Sequence, residues 1–187
     1  MMPKSVFLFL AFSVSLAGWS QSQQKPILTG ADQTAKYFPQ LRGKRVAMVA
    51  NPTSQIAGIA TVDSLLHSGI RVVKVFGPEH GFRGNASNGA KVSDSFDPAT
   101  GIPIISLYGK KSRPSREDLQ DVDLVIFDIQ DVGARFYTYI LTLHRVMQSC
   151  AEFQKPLLIL DRPNPNGFYV DGPILEEIGR ASCRERG

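Results

Sequence analysis

Between Gly77 and Gly84 the sequence GPEHGFRG sets a carboxylate, an imidazole and a guanidinium close together among glycines. The chemistry open to such a set is proton transfer and anion binding. Glu79, with His80 beside it, can hold or donate a proton, and Arg83 can grip an anionic group through paired N–H donors. Glycine permits sharp turns and close backbone approach, while Pro78 fixes φ and stiffens the chain leading into Glu79 and His80. A polar turn that merely satisfies loop geometry would have the same composition, so this stretch alone decides nothing.

Four more polar clusters accompany it: Asn51 with Thr53, Tyr108, the set Asp128, Gln130, Asp131 and Arg135, and the set Asp161, Arg162 and Asn164. Each follows an apolar run. Arg45 to Asn51, Ile70 to Phe76, Ile102 to Gly109, Asp123 to Asp131 and Pro156 to Leu160 read as five strands, and Val46 to Ala50 has the continuous apolar character of a strand buried on both faces. Helical patterns lie between them. ADQTAKYF suggests a short helix in the lead-in segment, TVDSLLHSG one that stops at Gly69, and SREDLQ one with Ser115 as N-cap. From Phe136 to Phe153 the period becomes helical, with Phe136, Ile140, Leu143, Met147, Cys150 and Ala151 on one face and His144 bordering it as a structural residue. The polar stretch from Asn85 to Gly101 is expected to be a substrate-lining loop or a surface segment.

Strands alternating with helices predict an α/β fold with a parallel sheet and flanking helices. Open sheets of this kind bind ligands beyond the carboxyl ends of their strands. All five polar clusters therefore face one crevice.

Composition narrows the classes of function. Of 187 residues, 43% are hydrophobic and 20% charged, which is ordinary for one globular domain. Residues 1–22 carry Lys4, an apolar run and a small polar end, the layout of a secretory signal peptide. No cysteine follows that run to bear a lipid, so no stable membrane anchor is expected after cleavage, and the localisation expected is secreted, periplasmic. Residues 178–187, IGRASCRERG, break with the preceding pattern and resemble a translated sequencing adapter, leaving 23–177 as the domain. Without Lys4, Arg180, Arg184, Arg186 and Glu185, the 21 basic and 17 acidic residues fall by four and by one, to 17 and 16. That leaves no electrostatic footprint for nucleic acid. Cys150 is then the one cysteine of the domain, read as buried and inert, and no CxxC or HExxH spacing indicates a metal. The first strand ends in NPTSQIAG rather than GxGxxG, so no dinucleotide cofactor is indicated.

Carboxylates and amides suit sugar hydroxyls, and the arginines suit an acid group, so an acidic glycan fits both. Glycosidases commonly use two carboxyl groups, one of them a proton donor. Glu79 is the first choice for the acid, with Asp128 or Asp131 as its partner. Both aspartates could equally be turn or N-cap residues before the Phe136 helix. Candidate binding residues are Asn51, Thr53, His80 and Arg83 from the first two loops, Gln130 and Arg135 from the fourth, and Asp161, Arg162 and Asn164 from the fifth. A non-catalytic sugar-binding or cell-wall-binding module would use the same crevice.

Together, NPTS at 51–54, FGPEHGFRG at 76–84, TGIPIISLYG at 100–109, FDIQDVGARFYTY at 127–139 and LDRPNPNG at 160–167 resemble the exo-β-N-acetylmuramidases of glycoside hydrolase family 171. The resemblance implies a Rossmann-like first domain, a second domain that this sequence stops short of, and an active cleft between them. It implies release of N-acetylmuramic acid from the non-reducing ends of peptidoglycan fragments, with Glu79 catalytic. Tyr137, inside the fourth motif, joins the candidate binding residues. The partners expected are peptidoglycan-derived muramyl sugars, with no cofactor.

Overall fold

The computed structural model describes residues 27–79, 81–84 and 94–172. The signal-peptide and adapter readings and His80 lie outside the described residues. Within them, a short helix α1 (Thr34–Leu41) leads into β1 (Arg45–Ala50). The small strands β2 (Gln55–Ile56) and β3 (Ile59–Ala60), helix α2 (Thr61–His67) and β4 (Arg71–Gly77) follow. The chain continues through β5 (Ser95–Phe96), β6 (Pro103–Ser106), α3 (Arg116–Leu119), β7 (Leu124–Asp128), α4 (Tyr139–Glu152) and β8 (Leu157–Ile159).

Six strands form one sheet in the order β5-β6-β4-β1-β7-β8. All its pairings are parallel except that of β5 with β6. The chain builds outward from β1 through β4 to β6, then returns to the other side of β1 with β7 and β8. The order thus reverses at β1, the kind of position at which open α/β sheets bind ligands.

Why β1 is continuously apolar is now plain: alternate residues feed two cores. Val46, Met48 and Ala50 pack with Tyr37 and Leu41 of α1 and Val62 and Leu65 of α2 on one face. Ala47 and Val49 pack with Leu119 of α3 and Val146 and Cys150 of α4 on the other. Each fully buried Val or Leu contributes about 1.5–3 kcal/mol, so a two-faced strand is a strong organising element. Lys74 breaks the apolar run of β4 at a register irregularity, and its ammonium is satisfied by the Asp118 carbonyl at 2.8 Å and Asp121 Oδ1 at 2.5 Å.

Helix boundaries follow their local signals. Ser115 Oγ accepts from Asp118 N and the Asp118 carboxylate accepts from Ser115 N, a reciprocal capping box. Gly69, with φ of +75°, ends α2 as expected.

Two features differ from the sequence-based expectations. α4 buries Tyr139, Val146, Ser149 and Cys150, while Ile140 and Met147 remain 41% and 47% exposed and Phe136 precedes the helix. The inward face is rotated by about one residue from the expected Phe136–Ile140–Met147 stripe, and His144 is exposed. The second feature is the β2–β3 hairpin, joined by Ala57 and Gly58, both at positive φ as a tight two-residue hairpin turn demands.

The segment before α1 docks on the far end of the sheet. Gly30 N–H donates to the Asp161 carbonyl at 2.6 Å, and a Cβ on Gly30 would lie 2.5 Å from Asp161 N, so a side chain there would force these backbones apart.

Candidate active site

Glu79 is carried on the turn that follows β4. Gly81 N–H donates to the Pro78 carbonyl at 2.9 Å, and Glu79 is half-buried. Tyr139, the first residue of α4, which sequence reasoning passed over, lies within electrostatic range of it. Burial pushes its phenol above the usual range, a hydrogen bond with the Asn51 side chain opposes this, and Tyr137 and the Glu79 charge add to the rise. The two tyrosine rings meet edge to face at 5.0 Å. Asn51 from the end of β1, Glu79 from the end of β4 and the tyrosines at the start of α4 thus gather where the strand order reverses. The F-Y-T-Y spacing directly after the fourth loop was the available signal for Tyr139.

Other candidates are engaged with one another. Asp128, expected as a partner carboxylate, is 0% exposed: Arg162 Nε donates to its Oδ1 at 2.6 Å, Arg162 Nη2 to its Oδ2 at 3.1 Å, and Thr61 Oγ1 to its Oδ2 at 2.7 Å. A carboxylate so occupied and walled off does not reach a sugar in this geometry. Arg162 is likewise a core cation, its side chain 9% exposed and its Nη2 also donating to the Gln55 carbonyl at 2.9 Å. Neither keeps the catalytic or binding role expected of it.

Arg83 is similarly committed. Its Nε and Nη2 donate to Asp97 at 2.9 and 2.7 Å, and its Nη1 and Nη2 to Asp63 at 3.0 and 2.9 Å. Four of its roughly five N–H directions are used, leaving no paired face for a ligand acid. The expected anion anchor is instead an internal tie. Asp97 is 1% exposed, and the Arg83 guanidinium holds its carboxyl below the usual range against the opposing cost of burial, with help from Thr100. The folded value therefore lies below the unfolded one of about 3.9. The stability this contributes is complete above that pH and is lost as pH falls through the depressed value. Asp97→Asn is expected to flatten the acid side of the stability profile below about pH 4, read by thermal melts across pH.

The remaining loops lock together. Asn51 Oδ1 accepts from Thr53 N at 2.9 Å and from Thr53 Oγ1 at 2.5 Å, and Thr53 Oγ1 accepts from Gln130 N at 3.0 Å. Gln130 Nε2 donates to the carbonyls of Asp131 and Pro163 at 2.8 and 2.9 Å. Thr53 and Gln130 therefore join the ends of β1, β7 and β8 instead of pointing to a ligand. Asn164 Oδ1 accepts from Asn166 N at 2.9 Å and lies over Gly133, where a Cβ would come within 2.0 Å of it. Gly133 also has φ of +69°, so sterics and backbone both call for glycine. Asp161 and Arg135 are exposed, Arg135 lying beside Gly172.

Asp131 stands apart. Its Oδ2 accepts from Gly133 N at 3.0 Å, the turn role foreseen as an alternative, but its Oδ1 is buried with no hydrogen-bond partner among the described residues. An unsatisfied carboxylate oxygen costs about 1–3 kcal/mol or more. No group of three or more His, Cys, Asp or Glu that could hold a metal occurs among the described residues, and no described helix is long and apolar enough to cross a membrane.

A family model described as the N-terminal part of the exo-β-N-acetylmuramidase NamZ matches residues 46–182. The chain belongs to the NamZ family. The peptidoglycan β-N-acetylmuramidase NamZ of Bacillus subtilis is 41% identical over 190 residues, an alignment covering 94% of this chain and 46% of that protein. Two crystal structures of DUF1343-family proteins from Bacteroides fragilis are also similar, each at a TM-score of 0.70. One is 47% identical, covering 81% of this chain and 39% of its own, and the other is 38% identical, covering 80% and 38%. The chain thus spans less than half the length of these relatives.

Proposed function

We propose that this domain supplies one wall of the active cleft of a secreted, exo-acting β-N-acetylmuramidase. The enzyme releases N-acetylmuramic acid from the non-reducing ends of peptidoglycan fragments during cell-wall turnover and recycling. The observation that carries this reading is the placement of Glu79 at the end of β4, next to the point where the sheet reverses and near enough to Tyr139 for its charge to act on that phenol, in a NamZ-family chain.

In this reading Glu79 protonates the glycosidic oxygen as the bond to the leaving sugar breaks. Asp131 is its partner: the unsatisfied Oδ1 accepts either the attacking water or a sugar hydroxyl. Tyr137, half-buried, presents aromatic surface to the sugar ring and is backed edge to face by the buried Tyr139, and Arg135, on the exposed turn before α4, faces the lactyl carboxylate. Because the chain covers 46% of the length of its Bacillus subtilis relative, the 187 residues alone are expected to release little sugar.

The test uses a form extended to the length of its relatives, with a chromogenic β-N-acetylmuramide as substrate. Turnover supports the reading. Binding of N-acetylmuramic acid without turnover would overturn it in favour of a non-catalytic sugar-binding module, the second reading that the same crevice allows.

A further inference from the structure

We infer that Arg83 is a positioning residue: paired at once with Asp63 and Asp97, it clamps the Glu79 turn to α2 and to the β5–β6 segment. The inference rests on Glu79 being the acid. Three parts of the chain that are distant in sequence meet at this guanidinium. Asp63 lies in the first turn of α2, Asp97 directly follows β5, and Arg83 stands four residues after Glu79. Each carboxylate is gripped by two N–H groups, which fixes the plane of the guanidinium as well as its place.

The clamp is itself held on all sides. Asp97 Oδ2 accepts from Thr100 Oγ1 at 2.6 Å, and the backbone of Asp97 exchanges hydrogen bonds with Ile102 and Gly101 at 2.8 Å each. The guanidinium carbon lies 4.6 Å from the centre of the Phe82 ring, and Phe82 is buried in the core that contains Val62 and Leu65 of α2. On the other side of the turn, Leu107 N–H donates to the Gly77 carbonyl at 2.8 Å, tying its start to the end of β6. The turn bearing Glu79 is thus pinned before it by β6 and after it by Arg83. A general acid must hold its proton within hydrogen-bond reach of the leaving oxygen, and small displacements cost rate rather than affinity.

The test is kinetic, in the full-length form. Arg83→Met and Asp97→Asn are each expected to lower kcat at least tenfold with KM within about twofold, and Arg83→Lys to recover part of the loss through one retained ion pair. Amide exchange at residues 77–84 should accelerate in the same variants. Where Arg83→Met does not fold, Asp63→Asn gives the milder form of the same effect. If kcat is unchanged in Asp97→Asn and Asp63→Asn while Glu79→Gln is inactive, the clamp is overturned and the acid assignment stands. A rise in KM confined to Arg83→Met would instead make Arg83 a substrate contact and also overturn the clamp. Wild-type turnover by Glu79→Gln would remove the acid assignment itself, with amide exchange still reporting whether the turn was clamped.

Discussion

Glu79→Gln in the full-length form is expected to lower kcat by about 10²–10⁴-fold, the usual contribution of a positioned general acid, with little change in KM. The amide keeps the size of the carboxyl group and can still hydrogen-bond a sugar, but it has no proton to give to a departing alkoxide. Folding should be spared. Glu79 sits half-buried between Pro78 and Gly81, whose backbones are joined by a hydrogen bond, and among the described residues no hydrogen bond uses its side chain. Steady-state kinetics on a β-N-acetylmuramide, with a thermal melt as folding control, decides the matter. Turnover equal to wild type would move the acid elsewhere.

Arg162→Met should produce the largest loss of stability of any single change considered, about 3–5 kcal/mol, because it strands a buried carboxylate. Asp128 is wholly enclosed, and after the substitution only Thr61 Oγ1 would remain as a side-chain donor to it. A domain of this size has a total stability of about 5–15 kcal/mol, so the loss takes a large share. The same guanidinium also holds the Gln55 carbonyl, so the hairpin β2–β3 should loosen with it. Asp128→Leu combined with Arg162→Met is expected to regain much of the loss, since two buried charges are then replaced by apolar groups that need no partner. Denaturant midpoints report both effects. An Arg162→Met variant as stable as wild type would show that the pair is not the structural tie described here.

Much of the fold was legible in the sequence because its signals are local. β1 and β7 are apolar without interruption since both faces of the sheet are covered, and Ser115 and Gly69 mark helix ends through bonds made within a few residues. The inward face of α4 was not legible to that precision. Apolar residues at 136, 140, 143, 147 and 150 and at 139, 143, 146 and 150 make overlapping stripes on one helix. Packing against Val49, Val125 and Phe127 selects the second, which also brings Tyr139 beside Asn51.

The sequence by itself determined that this is a parallel α/β sheet with its polar residues collected in the loops after its strands, because strand burial and loop polarity are written in neighbouring residues. It also singled out Glu79. Only the tertiary structure decided which of those polar groups are spent on one another. Asp128 meets Arg162 from 34 residues away, and Arg83 meets Asp97 and Asp63 from 14 and 20 residues away. Such pairings depend on which strand lies beside which, and a charge beside a strand end looks the same in sequence whether it faces a substrate or an opposite charge. Asp131 keeps an oxygen with no partner among the described residues, while Arg83 and Arg162, both first taken for ligand contacts, hold the loops in place.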